Sequence, residues 1–376
     1  MIKNPFKFGN VVSGDYFYNR QDDLLRIKQV LTSGNNVTLY APRRFGKTSL
    51  VNKALEELRK QGYITVYIDF MSIYSREKFI GNYTNAIVKS QGASIENIIS
   101  KISKFVSGIV PSVSFDHTGS PNFSLAYVQG KDRETTLIDA INLPEQLASD
   151  KQKWIVAFDE FQEITKLNGS NFEKLLRSQI QHQENVNYIF FGSRTHLLKE
   201  MFNNKNRAFY NASSIMTIKK IKEEESIEYL QNRFNLSGMT LHTDIAKLIL
   251  ITVENIPYYI QFFAYEIWQQ MQLSQEKEIG ERHVSNALES VLELKSDYYW
   301  ELTNKQTNYR KKLLKALSHT SSEIFSKKVN VQYDLGATST TQKAIDVFID
   351  DGIIEKFNAN YEFTDPIFKI FIKRKT

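Results

Sequence analysis

The 376-residue chain contains no cysteine, which removes disulfides, thiolate zinc sites and a cysteine nucleophile together. Histidine is sparse. His117, His182, His196, His242, His283 and His319 are scattered, without H-E-x-x-H or another metal-ligand spacing, so no zinc centre is expected. No apolar run approaches the length that spans a bilayer, and the longest, such as LILITV at 248–253, fits a buried helix or strand. The first ten residues, MIKNPFKFGN, lack the apolar stretch of a signal peptide. These absences lead to the expectation of a cytoplasmic protein without a membrane partner. The formal net charge of +6 permits a polyanionic partner without requiring one, because the charges are dispersed rather than blocked.

The length suggests two or three domains. Up to about residue 215, strand and helix signals alternate. NVTLYA (36–41), YITVYIDF (63–70), KWIVAFDE (153–160) and VNYIFFGS (186–193) are β-rich, and KTSLVNKALEELRKQG and NFEKLLRSQIQHQ have helical patterns. Near-continuous apolar strands separated by helices predict an α/β fold with a parallel sheet covered on both faces. A long irregular insertion is expected at about 76–145, with His117-Thr118-Gly119-Ser120-Pro121 as a turn between short strands. Residues 216–299 read as helices, interrupted by Pro257. Residues 300–376 give two helices and then a hairpin, IIEKFNANYEFTDP, which is a winged-helix pattern.

The segment with the most specific chemistry is APRRFGKTSL. Ala41-Pro42-Arg43-Arg44-Phe45-Gly46-Lys47-Thr48 follows the phosphate-loop (Walker A) pattern G-x-x-x-x-G-K-[ST] except at its first position, with Ser49 next. A strand before it and a helix after it would aim free backbone N–H groups and the positive helix end at an anion. Gly46 would let the backbone wrap a phosphate, Lys47 would supply charge, and Thr48 would ligate Mg2+. Ala41 would be tolerated if its backbone stays in the β region. The plainer alternative is a basic loop that caps a helix.

Downstream, WIVAFDEF places Asp159 and Glu160 at a strand end, the position of a Walker B element. Asp159 would hold the metal through water and Glu160 would polarise the attacking water; the alternative is a pair of surface acids. In FFGSRTHLL, either Ser193 or Arg194 could sense the γ-phosphate, or Ser193 or Thr195 could simply cap the following helix. Arg207 is a candidate arginine finger or a solvated loop residue. YFYNRQDDLLRI (16–27) enters a helix with Asp22 and Asp23 in its first turn, and Asn19 and Arg20 are candidate adenine-side contacts.

Taken in order, FYNRQDDL, APRRFGKTSL, VAFDEFQEI, FFGSR, ENIPYYIQ and NYEFTDPIFKIF resemble the archaeal-type ATPases of the AAA+/STAND group of P-loop proteins. That resemblance covers most of the chain. It implies an ATPase core at 1–215, a helical lid at 216–299 whose NIPYY segment packs near the nucleotide, and a winged-helix domain at 300–376. ATP and Mg2+ are the implied cofactors. Two departures stand out: Ala41 replaces the usual glycine, and Asn255 stands where glycine is common before Ile-Pro. No lid arginine near Pro257 matches a second sensor.

From Asp297 onward there are thirteen Lys/Arg and ten Asp/Glu, so 13 − 10 = +3. The expected reader helix at 338–351 holds Lys343 against Asp346, Asp350 and Asp351, and the wing offers Lys356 beside Glu355, with Asn358 and Asn360. This distribution suits a protein or intramolecular contact better than base readout. Three functions remain in play: an ATPase switch stimulated by a protein partner or homo-oligomer, a DNA-associated ATPase, and a nucleotide-binding scaffold that barely hydrolyses.

Overall fold

A computed structural model describes residues 3–12, 14–91, 104–106, 108–115, 121–127, 132–167, 169–320, 322–357 and 360–375. The chain divides into two compact units. One comprises Arg20–Ala41 and Lys47–Ile218; the other comprises Met1–Asn19, Pro42–Gly46 and Lys219–Thr376.

The first unit is the α/β core. Its described strands are β1 (Val37–Tyr40), β2 (Ile64–Asp69), β3 (Ile109–Phe115), β4 (Pro121–Tyr127), β5 (Trp154–Asp159), β6 (Val186–Phe191) and β7 (Ser214–Thr217). Five of them form one parallel sheet in the order β2-β5-β6-β1-β7. Every residue of β1, β5 and β6 is buried, as the continuous apolar runs require of central parallel strands. The edge strand β7, Ser-Ile-Met-Thr, was not expected; four residues of mixed polarity leave no periodic signal.

The helices of this unit are α1 (Gln21–Thr32), α2 (Lys47–Lys60), α3 (Arg76–Ser90), α4 (Arg133–Leu147), α5 (Gly169–Ile180) and α6 (Thr195–Asn203). Helices α3 and α4 correct the expectation of an irregular insertion at 76–145. Each is capped at its N-terminus, by the Ser75 hydroxyl accepting from Lys78 N and by the Asp132 carboxylate accepting from Glu134 N and Thr135 N. Gly81 within α3 and Pro144 in the last turns of α4 disguise both as breaks in the sequence. The expected strand pair is the antiparallel β3-β4 hairpin, whereas the turn at 117–120 lies outside the described residues. On one sheet face, Phe158 and Phe190 pack with Phe161, Phe202 and Phe209 in a fully buried aromatic cluster.

The second unit holds α7 (Glu223–Asn235), α8 (Thr243–Thr252), α9 (Pro257–Ser274) and α10 (Glu281–Leu294), with β8 (Thr240–Leu241) pairing β9 (Glu278–Ile279). Pro257 starts α9 rather than breaking it, because proline's missing N–H costs nothing in a first turn. The N-terminal segment is built into these helices. Phe6 packs on Phe234, Phe8 on Phe262 and Tyr265, and Tyr18 stacks on Tyr229 at 3.7 Å.

The winged helix comprises α11 (Ser296–Asn304), α12 (Asn308–His319), α13 (Lys327–Tyr333), α14 (Thr338–Asp350), the antiparallel wing β10 (Ile354–Phe357) and β11 (Asn360–Phe363), and α15 (Pro366–Lys375). Helices α12 and α14 and the wing follow the expected pattern; α11, α13 and α15 were not expected. Asn358 lies outside the described residues.

Candidate nucleotide site

The core site is assembled at the carboxyl ends of parallel strands, where α/β sheets place ligands. Phe158 and Phe161 are fully buried and their rings stack 5.9 Å apart, which pins the end of β5 from both sides. Asp159 and Glu160 lie between these anchors and are held at the sheet edge. Glu160 sits in the left-handed region, at φ 48°, a strained conformation for a residue with a Cβ.

Asp159 is buried and fully engaged. Its Oδ2 accepts from Thr48 Oγ1 at 3.0 Å and from the Tyr67 hydroxyl at 2.6 Å, and its Oδ1 accepts from Glu160 N at 2.8 Å. Burial raises its pKa, and the Tyr67 hydrogen bond opposes that rise. Burial and the Asp159 charge push the Tyr67 hydroxyl well above its ordinary range, so it stays a donor. Thr48 and Asp159 thus bring a hydroxyl and a carboxylate together. Hard oxygen donors of this kind, completed by phosphate and water, suit Mg2+.

Glu160 Oε2 accepts from Ser193 N at 3.1 Å, from Ser193 Oγ at 2.9 Å and from Gln162 Nε2. Ser193 therefore orients Glu160 instead of capping α6. Thr195 Oγ1 donates to Ala41 O at 2.9 Å, so it does not cap the helix either. Arg194 is half-buried at the start of α6. Gln162, Tyr67 and Gly192 were given no role from the sequence. Gln162 lies inside VAFDEFQEI and Gly192 inside FFGSR, whereas the one sequence signal at Tyr67 is its alternation along YITVYID.

Lys47 is the first residue of α2 and is buried, with Nζ donating to Ala41 O at 2.7 Å. Ala41 is not among the residues with positive φ; Arg44 at 68° and Gly46 at 81° make the loop's left-handed turns. The alanine therefore stands at a position that does not need glycine's freedom.

Within the second unit, the loop segment Pro42–Gly46 is gripped by the helical and winged-helix parts. Arg43 N donates to Glu355 Oε1 at 3.0 Å. The Arg44 guanidinium lies 4.7 Å from the Tyr259 ring and 5.1 Å from Tyr258, and pairs with Asp365 at 3.5 Å. Tyr258 N donates to Arg44 O at 3.2 Å, and Phe45 packs 6.1 Å from Phe357. A Cβ on Gly352 would lie 2.3 Å from Arg43 Nη1, so this wing-side glycine permits the close approach. Asn255, the other departure from the family pattern, has φ 53° and anchors itself through Ile221 O and the Ser226 hydroxyl. Asparagine tolerates this conformation better than most residues, which explains why it can replace glycine here.

The remaining candidates are placed locally. Arg20 and Asn19 both have positive φ, and Arg20 pairs with Asp23 at 3.2 Å. Arg207 is held by Glu173 at 2.5 Å and Glu200 at 2.8 Å, with the Glu173 side chain 2 % exposed. In this conformation Arg207 is a core-facing ion-pair residue rather than a free finger.

These features define a P-loop ATPase. The family described as "ATPase domain predominantly from Archaea" matches residues 17–263, and the chain belongs to it. A probable winged helix domain matches 297–374. The Walker-type ATPase PABY2304 of Pyrococcus abyssi has the same fold at 17 % identity and a TM-score of 0.66, covering 98 % of this chain and 99 % of that one. The ORC2 protein of Aeropyrum pernix, solved as ADPNP–ADP complexes, aligns at 13 % identity with a TM-score of 0.59, covering 98 % and 96 %. No curated protein matches the chain. No helix among the described residues is long and apolar enough to cross a membrane.

Proposed function

We propose that this protein is an ATP-hydrolysing switch with an ATPase core, a helical lid and a winged-helix tail divided near residues 215 and 300. The observation that carries the reading is the grip of Glu355 and Asp365 on Arg43 and Arg44. The tail thereby contacts the same loop whose Gly46, Lys47, Thr48 and Ser49 bind phosphate. A triphosphate arriving at that loop competes electrostatically with two carboxylates, so occupancy and tail contacts are coupled.

Thr48 and, through water, Asp159 would hold Mg2+, which would neutralise charge on the phosphates. Glu160 is the general base. Its Oε2 is fixed by Ser193 and Gln162, and the other carboxylate oxygen polarises the attacking water. Arg194 sits at the same sheet edge and serves as the phosphate sensor. Arg207 is committed to Glu173, so turnover is slow until a second copy or a protein partner supplies a cation.

Hydrogen exchange over residues 350–366, with and without ATP, tests the switch. The switch requires protection there to fall on ATP binding, and unchanged protection with ATP bound would refute it. Lys47→Ala must lose ATP binding, or the loop assignment is wrong.

A DNA-associated role is the second reading. It is supported by a basic cluster on α12 and α15, where burial together with the Lys373 and Lys315 charges lowers the His319 pKa. Duplex binding with a steep salt slope, lost on charge reversal of Lys315 and Lys373, would favour it over the switch alone.

A further inference from the structure

We propose that Tyr67 is a positioning residue for the metal-side carboxylate of Asp159, an assignment that rests on the ATPase reading above. The side chain reaches its place through strand register. Tyr67 on β2 lies opposite Ala157 on β5, and Asp69 lies opposite Asp159. Side chains alternate along a strand, so Tyr67, Ala157 and Asp159 share one sheet face. That face is the one α2 covers, since Arg59 of α2 bonds the hydroxyl of Thr65, two residues before Tyr67. The methyl group of Ala157 leaves room for the phenol to lean along β5 and reach Asp159 Oδ2 at 2.6 Å. The ring also packs against Phe191 at 6.4 Å.

The consequence follows from hydrogen-bond accounting. A carboxylate out of water needs donors, and Asp159 receives three. The Glu160 amide belongs to the strained turn after β5. The Thr48 hydroxyl can keep its proton on Asp159 while it turns a lone pair to a cation. Tyr67 gives its hydroxyl proton to Asp159 and has only two side-chain torsions to order. It fixes which oxygen of Asp159 faces Thr48, and so leaves the carboxylate in one orientation before any ligand arrives. Outer-shell hydrogen bonds that orient the groups around a metal typically change its affinity by about 10- to 100-fold when removed.

Tyr67→Phe tests the assignment, because it keeps the ring and deletes the hydroxyl. Free Mn2+, followed by its electron paramagnetic resonance signal, is titrated into protein with ADP, and ADP affinity is measured separately in EDTA. The expected result is metal affinity at least about tenfold weaker, with metal-free ADP affinity and the thermal midpoint unchanged. Wild-type Mn2+ affinity in Tyr67→Phe overturns the proposal, as does equal weakening of metal-free ADP binding, which marks a general packing defect. Failure of the unsubstituted protein to bind ADP in EDTA overturns the ATPase reading instead, so the two failures are distinct. An increase in the Mg2+ concentration needed for half-maximal turnover, with kcat at saturating Mg2+ nearly retained, is the second expected signature.

Discussion

Gly192 and Gln162 interlock: a Cβ added to Gly192 would lie 2.0 Å from Gln162 Oε1 and 3.1 Å from the Glu160 Cα. The glycine of FFGSR is therefore a clearance for the amide that, with Ser193, holds the Glu160 carboxylate. Gly192→Ala should push Gln162 aside, cost about 1–3 kcal/mol of stability by denaturant titration, and lower turnover while ATP affinity is retained. Turnover equal to that of the unsubstituted protein would show that the Gln162 contact does not orient the base.

Glu160→Gln keeps the side chain's shape and an acceptor for Ser193, and removes the charge that polarises water. Turnover should fall by roughly 100-fold or more, while ATP binding in a filter or calorimetric assay is preserved. Parallel loss of binding would mean that Glu160 acts in ground-state recognition.

Much of this was legible in the sequence because it depends on local order. A buried strand, a loop and a helix start place Lys47 and Thr48, and Phe158 and Phe161 bracket Asp159-Glu160 within a few residues. Tyr67 was not legible, because it acts through a cross-strand geometry that leaves no motif. Gln162 stood in a matched segment, but its contact with Glu160 depends on a turn geometry that the motif does not state. Helix α4 was hidden by Pro144 and α3 by Gly81, although the Ser75 and Asp132 caps were present as signals. The Arg43–Glu355 contact spans 312 positions of sequence, beyond any local pattern.

Arg207→Ala separates a structural ion pair from a finger. Its removal leaves Glu173 buried and unpaired, and the loss in stability should reach about 3 kcal/mol in denaturant titration. A finger would behave differently, with stability near that of the unsubstituted protein and turnover lost only in the assembled state.

Glu355→Gln retains an acceptor for Arg43 N and removes a negative charge next to the phosphate loop. ATP affinity should rise roughly fivefold, equivalent to about 1 kcal/mol, when measured at low ionic strength. The gain should shrink as salt is added. Unchanged affinity at low salt would remove Glu355 from the coupling between tail and loop.

Ala41→Gly restores the family's usual first glycine, and motif matching alone would predict tighter binding. The geometry predicts otherwise. Ala41 is buried, and its carbonyl, available equally from glycine, already accepts from Lys47 and Thr195. The left-handed turns fall at Arg44 and Gly46, so no strain is released at position 41. ATP affinity should stay within about twofold, and stability should fall by about 0.5–1 kcal/mol as glycine adds freedom to the unfolded chain. The opposite substitution, Gly46→Ala, places a Cβ at φ 81° and should cost both stability and ATP binding. A large affinity gain in Ala41→Gly would show that position 41 reaches positive φ once nucleotide is bound.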